Sequence, residues 1–168
     1  DDAWVAQARQ VAGSVPPKLV AVLTAEIERN GPAGAIGVCR DEALRLARAA
    51  AQETGWSVRR VSLRERNPKA VPDDWERAAL EDFDRRAAAG EKPATLERAE
   101  IVPQPGGPVM RYMRALPVIE LCTGCHGTGE RVSPAVRERL AEFYPQDRAT
   151  GYTLGQIRGA MTISKPLP

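Results

Sequence analysis

Histidine is the scarcest functional side chain in this protein, His126 being the only one among 168 residues. Any site built on two imidazoles is therefore excluded. Aromatic residues reach only 5%, so a core has to be built from Ala, Val and Leu. No apolar stretch approaches the roughly 20 residues that a membrane-spanning helix needs. The chain also does not open on a basic n-region, apolar h-region and small-residue cleavage site. Charge of one sign is lacking too, because 24 basic and 22 acidic residues leave a formal net charge of +2. The runs Arg59-Arg60 and Arg85-Arg86 are short and sit among carboxylates, which is not the clustered basic surface that nucleic-acid binding requires. No internal repeat and no sharp shift in composition divides the chain, so a single domain spanning 1–168 is expected. At that length a domain buries roughly 70% of its unfolded surface.

The pattern along the chain predicts helices first. Asp1 to Val11 reads as a short helix closed by Gly13, and Ser14, Pro16 and Pro17 suit the start of another. Leu19, Val20, Leu23 and Ile27 then follow helical spacing until Gly31-Pro32 stops them. After a small-residue patch from Gly34 to Cys39, a third helix is expected from about Arg40 to just before Gly55. Trp56 to Leu63 alternates as a strand does, and Asp73 with Glu76 resembles a capping box at the head of a helix running to Gly90. Leu96–Val102 and Val109–Ile119 look extended on either side of a Pro/Gly turn, Ser133 opens a last helix, and 157–163 offers a last strand. That order implies an α+β domain, with N-terminal helices over 1–54 and a sheet, a connecting helix and the motif described next over 55–168.

The strongest chemical signal is Cys122-Thr123-Gly124-Cys125-His126. Two thiols separated by two residues and followed at once by histidine form the attachment pattern of c-type haem. The sulfurs of Cys122 and Cys125 would add to the porphyrin vinyls, and His126 would reach the iron. A zinc site recruiting Cys39 is a weaker reading, since structural zinc ligands usually come as separated pairs. A thioredoxin-like redox pair belongs in a βαβ context that this segment lacks. One covalent haem c would also add apolar surface to a core poor in aromatics, and the apoprotein is expected to fold poorly. With no second imidazole, the opposite axial position falls to Cys39, Met110, Met113, Met161, water or nothing. Cys39 is the odd cysteine, placed where a helix start and Arg40 would favour its thiolate. An inert buried thiol is the competing reading.

Further segments recur, in order, in one bacterial family. They are Ala35-Ile36-Gly37-Val38-Cys39, the stretch Gly55 to Leu63, Arg66-Asn67-Pro68, the Cys122 to Gly127 motif, and Gly151-Tyr152 with Gly155 and Gly159-Ala160. Across residues 16–164 they resemble the Tll-like haem domain, a c-type monohaem protein that also forms the extracytoplasmic sensor part of some receptors and kinases. The resemblance implies a PAS-like antiparallel sheet flanked by helices, with the iron held by His126 and by Cys39. It also draws attention to Arg59, Arg60 and Arg66, whose guanidinium forks suit haem propionates, and to Tyr152 as a further donor. For any one of these, a surface ion pair or a packed ring is the simpler reading.

A redox or small-ligand sensor follows if Cys39 lets go of reduced iron and the displaced segment changes a surface that a downstream signalling domain reads. A diatomic molecule could then enter. The alternative is a low-potential electron-transfer cytochrome that keeps both ligands and meets a redox partner protein. Catalysis of the peroxidase type is not expected, because it wants a distal base, most often histidine. Covalent haem attachment normally takes place outside the cytoplasm, so the expected location is periplasmic or otherwise extracytoplasmic, with an export signal or anchor upstream of Asp1.

Overall fold

The computed structural model describes residues 3–64, 66, 68–119, 124–128 and 132–168, without the side chains of Cys39, Arg40 and Lys69. In chain order the elements are α1 (Ala3–Thr54), β1 (Ser57–Val61), α2 (Asp74–Ala88), β2 (Glu97–Val102), β3 (Val109–Pro117), α3 (Pro134–Phe143) and β4 (Ile157–Pro166). The strands form one antiparallel sheet in the order β1-β4-β3-β2. This is the α+β class expected from the sequence. Among the described residues, no helix is long and apolar enough to cross a membrane.

The N-terminal helices depart from expectation. Gly13, Ser14, Pro16 and Pro17 do not end the first helix, which runs on until Gly31 (φ 74°, ψ 174°). Pro16 and Pro17 remove the donors that Ala12 and Gly13 would otherwise face, at a cost of about 3 kcal/mol for an interior proline. The Ser14 hydroxyl donates to the Val11 carbonyl at 2.7 Å. What outweighs the loss is burial: Ala8, Val11, Ala12, Val15 and Leu19 pack against Met110, Tyr112, Met161 and Ile163 of the sheet. Each Val or Leu so covered contributes about 1.5–3 kcal/mol. The true break is at Gly31, and Pro32 opens a second arm that stays helical through the small-residue patch. Cys39 thus lies inside a helix whose start is about two turns away, so the N-terminal field expected to act on it from Arg40 is not there.

The two faces of the sheet carry separate cores. Met110, Tyr112, Met161 and Ile163 meet α1, whereas Val61, Met113, Ala115 and Ala160 meet Ala79, Leu80 and Phe83 of α2. The three methionines that could have served as soft ligands are core residues, at most 6% exposed. The head of α2 carries the expected capping box, with Glu76 N–H donating to Asp73 Oδ1 at 2.8 Å and Asp73 N–H donating to Glu76 Oε1 at 2.9 Å. Ile157 and Ala160 both join the α2 core although an odd spacing separates them, which a regular strand forbids. A register shift between Leu116 and Pro117 supplies the irregular step. Arg158 and Gly159 sit at that step. The second arm of α1 is met by α3: Ile36 packs with Val136, Leu140 and Tyr144, and the ring of Phe143 lies 3.6 Å from where a Cβ on Gly37 would be.

Candidate cofactor site at His126

Gly124–His126 form a helical turn that leans on the start of the second arm of α1. The Cys125 sulfur lies 4.0 Å from the Pro32 carbonyl and joins the small cluster around Ile36 and Val136. Two backbone bonds tie this turn to the segment before β4: Tyr152 N–H donates to the His126 carbonyl and Gly151 N–H to that of Gly127, each at 2.7 Å. Gly151 takes φ 82°, which lets the chain reverse there.

The tautomer of His126 follows from its partners. Nδ1 lies 2.6 Å from the Ala149 carbonyl, which can only accept, so Nδ1 carries the proton. Nε2 receives a hydrogen bond from Arg158 Nε at 3.3 Å, a group that can only donate. Burial, then the charges of Arg158 and Arg66, hold the imidazole pKa well below its ordinary value. The ring is therefore neutral, with its lone pair on Nε2. A neutral imidazole anchored through Nδ1–H to a carbonyl is the usual form of a metal-ligating histidine, so His126 suits an iron ligand once Arg158 turns away from Nε2.

Arginines surround this ring. Arg66, 8% exposed, pairs with Asp147 (Nε to Oδ1, 2.9 Å) and donates to the carbonyls of Cys125 at 2.6 Å and Ala149 at 3.1 Å. Its fork already holds a carboxylate, and its role here is to fasten the turn bearing His126 to the loop that anchors Nδ1. Arg158, 9% exposed, donates to Ser62 Oγ at 2.9 Å and to the Arg64 carbonyl at 3.3 Å. Burial first, then the nearby charge of Arg60, pull its pKa down to about 10. The guanidinium of Arg64 stacks 4.1 Å from the centre of the buried Tyr152 ring, which itself stands edge-on to His126 at 6.2 Å. A cleft of about 620 Å³ opens alongside, lined by Arg64, Leu80, Asp84, Lys92, Tyr152 and Arg158 among others.

Of the residues singled out in the sequence, Cys125, His126, Arg66 and Tyr152 come together here, and the charge of Arg60 reaches His126. Arg59 does not join them: it donates to the Val71 carbonyl at 2.6 Å and lies 3.6 Å from Glu76, at the head of α2. Cys122 and the Cys39 side chain lie outside the described residues. Sequence reasoning missed Arg158, Arg64, Ser62, Asp147 and Ala149. For Arg158 a signal existed, a lone cation inside the small and apolar run Ile157-Arg158-Gly159-Ala160-Met161.

A family model described as Tll0287-like matches residues 5–166, nearly the whole chain. The chain belongs to the Tll0287-like family. Among solved structures it is similar to one described as the crystal structure of the cyanobacterial haem-protein Tll0287. The two share 23% identity with a TM-score of 0.73, over 100% of this chain and 98% of that one. At that identity the likeness speaks for the fold, and this member of the Tll0287-like family shares its helices and four-stranded antiparallel sheet with the cyanobacterial protein. No curated protein matches the chain.

Proposed function

We propose that this Tll0287-like chain is a haem-binding domain carrying one covalent haem c, bonded through Cys122 and Cys125 and held by His126 as an axial iron ligand. The observation that carries this reading is the His126 ring: half-buried, neutral, anchored at Nδ1, and following directly on Cys125. The name haem-protein given to the cyanobacterial relative supports it. When bound, the iron porphyrin supplies one-electron chemistry and a site for small axial ligands.

The residues of the chain have definite tasks in this reading. The Ala149 carbonyl orients the imidazole and raises its basicity as a ligand. Arg66 and Asp147 fix the distance between that carbonyl and Cys125. The buried ring of Tyr152, edge-on to the imidazole, covers one side of it. Cys39 is the proposed second axial ligand, in a PAS-like arrangement of sheet and helices. It sits in the second arm of α1, which packs on α3 and runs directly into β1. Release of Cys39 would free an arm connected to the sheet edge, and this favours a redox or small-ligand sensor over a plain electron carrier. The partner is then a downstream signalling domain, and the location extracytoplasmic.

Intact-mass measurement of protein matured in a host with a haem-attachment system tests the reading, together with absorption and electron paramagnetic resonance spectra of wild type and Cys39→Ala. The expected result is a mass increment of one haem, and a low-spin thiolate signal that the substitution abolishes. Bare polypeptide overturns the haem reading. A haem adduct whose spectrum ignores Cys39→Ala removes Cys39 from the iron, and identical axial ligands in oxidised and reduced protein turn the reading toward electron transfer.

A further inference from the structure

The cleft of about 620 Å³ extends from Tyr152 to α2 and is lined by Arg64, Leu80, Asp84, Lys92, Pro93 and Leu154 among others. Its volume is that of a small-molecule site, about 300–1,000 Å³. Leu154 stays exposed although it is large and apolar. The charged side chains facing the cleft are not alike. Glu91 is taken, because Arg86 grips its carboxylate at 2.9 and 3.0 Å. Arg64, Lys92 and Asp84 are not: among the described residues, none of the three side chains has a hydrogen-bond or ion-pair partner.

Arg64 is nonetheless held in place. Its guanidinium lies 4.1 Å from the centre of the Tyr152 ring, and its Nη2 lies 3.1 Å from where a Cβ on Gly151 would be, so a glycine there leaves it room. A guanidinium fixed by stacking on a ring keeps its N–H fork free for a carboxylate. Asp84 is near enough to feel the charge of Arg64, yet the two do not meet. Unlike charges that share one cleft without contact are complementary to a molecule that carries both signs and fits between them. The geometry points to a binding site for a small acidic amino acid, with its α-carboxylate on Arg64, its ammonium on Asp84, its second carboxylate toward Lys92 and its methylenes against Leu80 and Leu154. Two uncommitted cations against one carboxylate favour a ligand of net negative charge, and the apolar lining covers its carbon chain. None of these contacts requires a bound haem, and the site goes beyond the haem reading by adding an organic ligand to a chain proposed as a sensor.

Calorimetric titration of matured, haem-loaded protein with L-glutamate and with succinate, which lacks the ammonium, tests this in wild type, Arg64→Gln, Arg64→Lys and Asp84→Asn, each first shown to melt cooperatively. L-glutamate is expected to bind saturably to the wild type and roughly tenfold more weakly to Arg64→Gln and Asp84→Asn, as the loss of one charge-assisted hydrogen bond implies. Arg64→Lys, which keeps the charge without the fork, should fall between. Asp84→Asn should leave the weaker binding of succinate unchanged. No saturable heat from L-glutamate at millimolar concentration, an affinity indifferent to Arg64 and Asp84, or succinate held as tightly as L-glutamate would overturn the inference. Binding confined to haem-free protein would overturn it as well, since the cleft would then belong to the cofactor. Intact mass of the same preparation reports on haem attachment by itself, so the two readings fail separately.

Discussion

Arg66 and Asp147 form an ion pair, Nε to Oδ1 at 2.9 Å, in which the two side chains are only 9% and 12% exposed. The pair is a hub. Asp147 also accepts from Ala149 N–H at 3.0 Å, and Arg66 donates to the carbonyls of Cys125 and Ala149, so one contact fixes both the motif turn and the carbonyl that orients His126. Removing one member of a buried pair strands the other charge, at about 3–5 kcal/mol. Asp147→Ala is therefore expected to lower stability by about that amount in urea unfolding. The double variant Arg66→Met/Asp147→Leu should recover much of the loss. A single variant that unfolds within about 0.5 kcal/mol of wild type, the range of surface substitutions, would show that the pair is not a clasp.

Two glycines give opposite signs. A Cβ on Gly159 would collide with the Val61 carbonyl oxygen, a backbone atom of the neighbouring strand that cannot turn away. Gly159→Ala is expected to force β1 and β4 apart and cost about 3 kcal/mol. Gly13 lies inside α1 with nothing within 4 Å of such a Cβ, and Gly13→Ala is expected to stabilise by about 0.5–1 kcal/mol. Thermal unfolding of both variants checks the contrast. The same sign in the two would mean that β1 and β4 can part at Gly159 without cost.

Gly31 is a third case, decided by backbone conformation instead of space. Its φ of 74° divides the two arms of α1, and nothing lies within 4 Å of a Cβ placed there. Gly31→Ala should therefore cost about 1–3 kcal/mol, because positive φ with an extended ψ is a conformation essentially confined to glycine. Urea unfolding of the variant against wild type checks this. Stability equal to wild type would mean that the arms are not set by this residue.

Much of this was legible in the sequence, and what was not has a common cause. The capping box of Asp73 and Glu76, the alternation of β1 and the Ser133 cap of α3 are local signals, and each element appears where its signal put it. The misplaced helix ends at Gly13 and Pro16-Pro17 were local signals overruled by burial of Val11, Val15 and Leu19 on a sheet far along the chain. The site divides in the same way. Cys125 and His126 belong to a contiguous motif, whereas Arg158, Asp147 and Ala149 reach His126 only through the register of β4 and the loop before it. Arg59 and Arg60 are adjacent in sequence, but a strand sends alternate residues to opposite faces, so Arg59 goes to Glu76 while the charge of Arg60 acts on His126.

The pH dependence of stability has a clear sign at Glu97. Arg9 grips its carboxylate in a bidentate pair, 2.6 and 2.9 Å, and the Tyr112 hydroxyl donates to the same group. The Arg9 hydrogen bonds, together with that of Tyr112, hold the Glu97 pKa below its ordinary 4.5. A depressed carboxylate contributes stability that is present above the unfolded pKa and is lost as pH falls through the folded one. Tyr112 acts at the other end: burial, then its bond to Glu97, push the phenol from 10.0 up to about 12. Its contribution is whole below pH 10 and fades as pH rises toward about 12. Glu97→Gln should therefore lower the melting temperature near neutrality and lose that deficit in acid, because wild-type Glu97 is then protonated as well. The same substitution should bring the phenolate absorbance step of Tyr112 to lower pH. A deficit that stays constant down to about pH 3, below the ordinary glutamate range, would mean that the carboxylate charge contributes nothing and that only packing was lost.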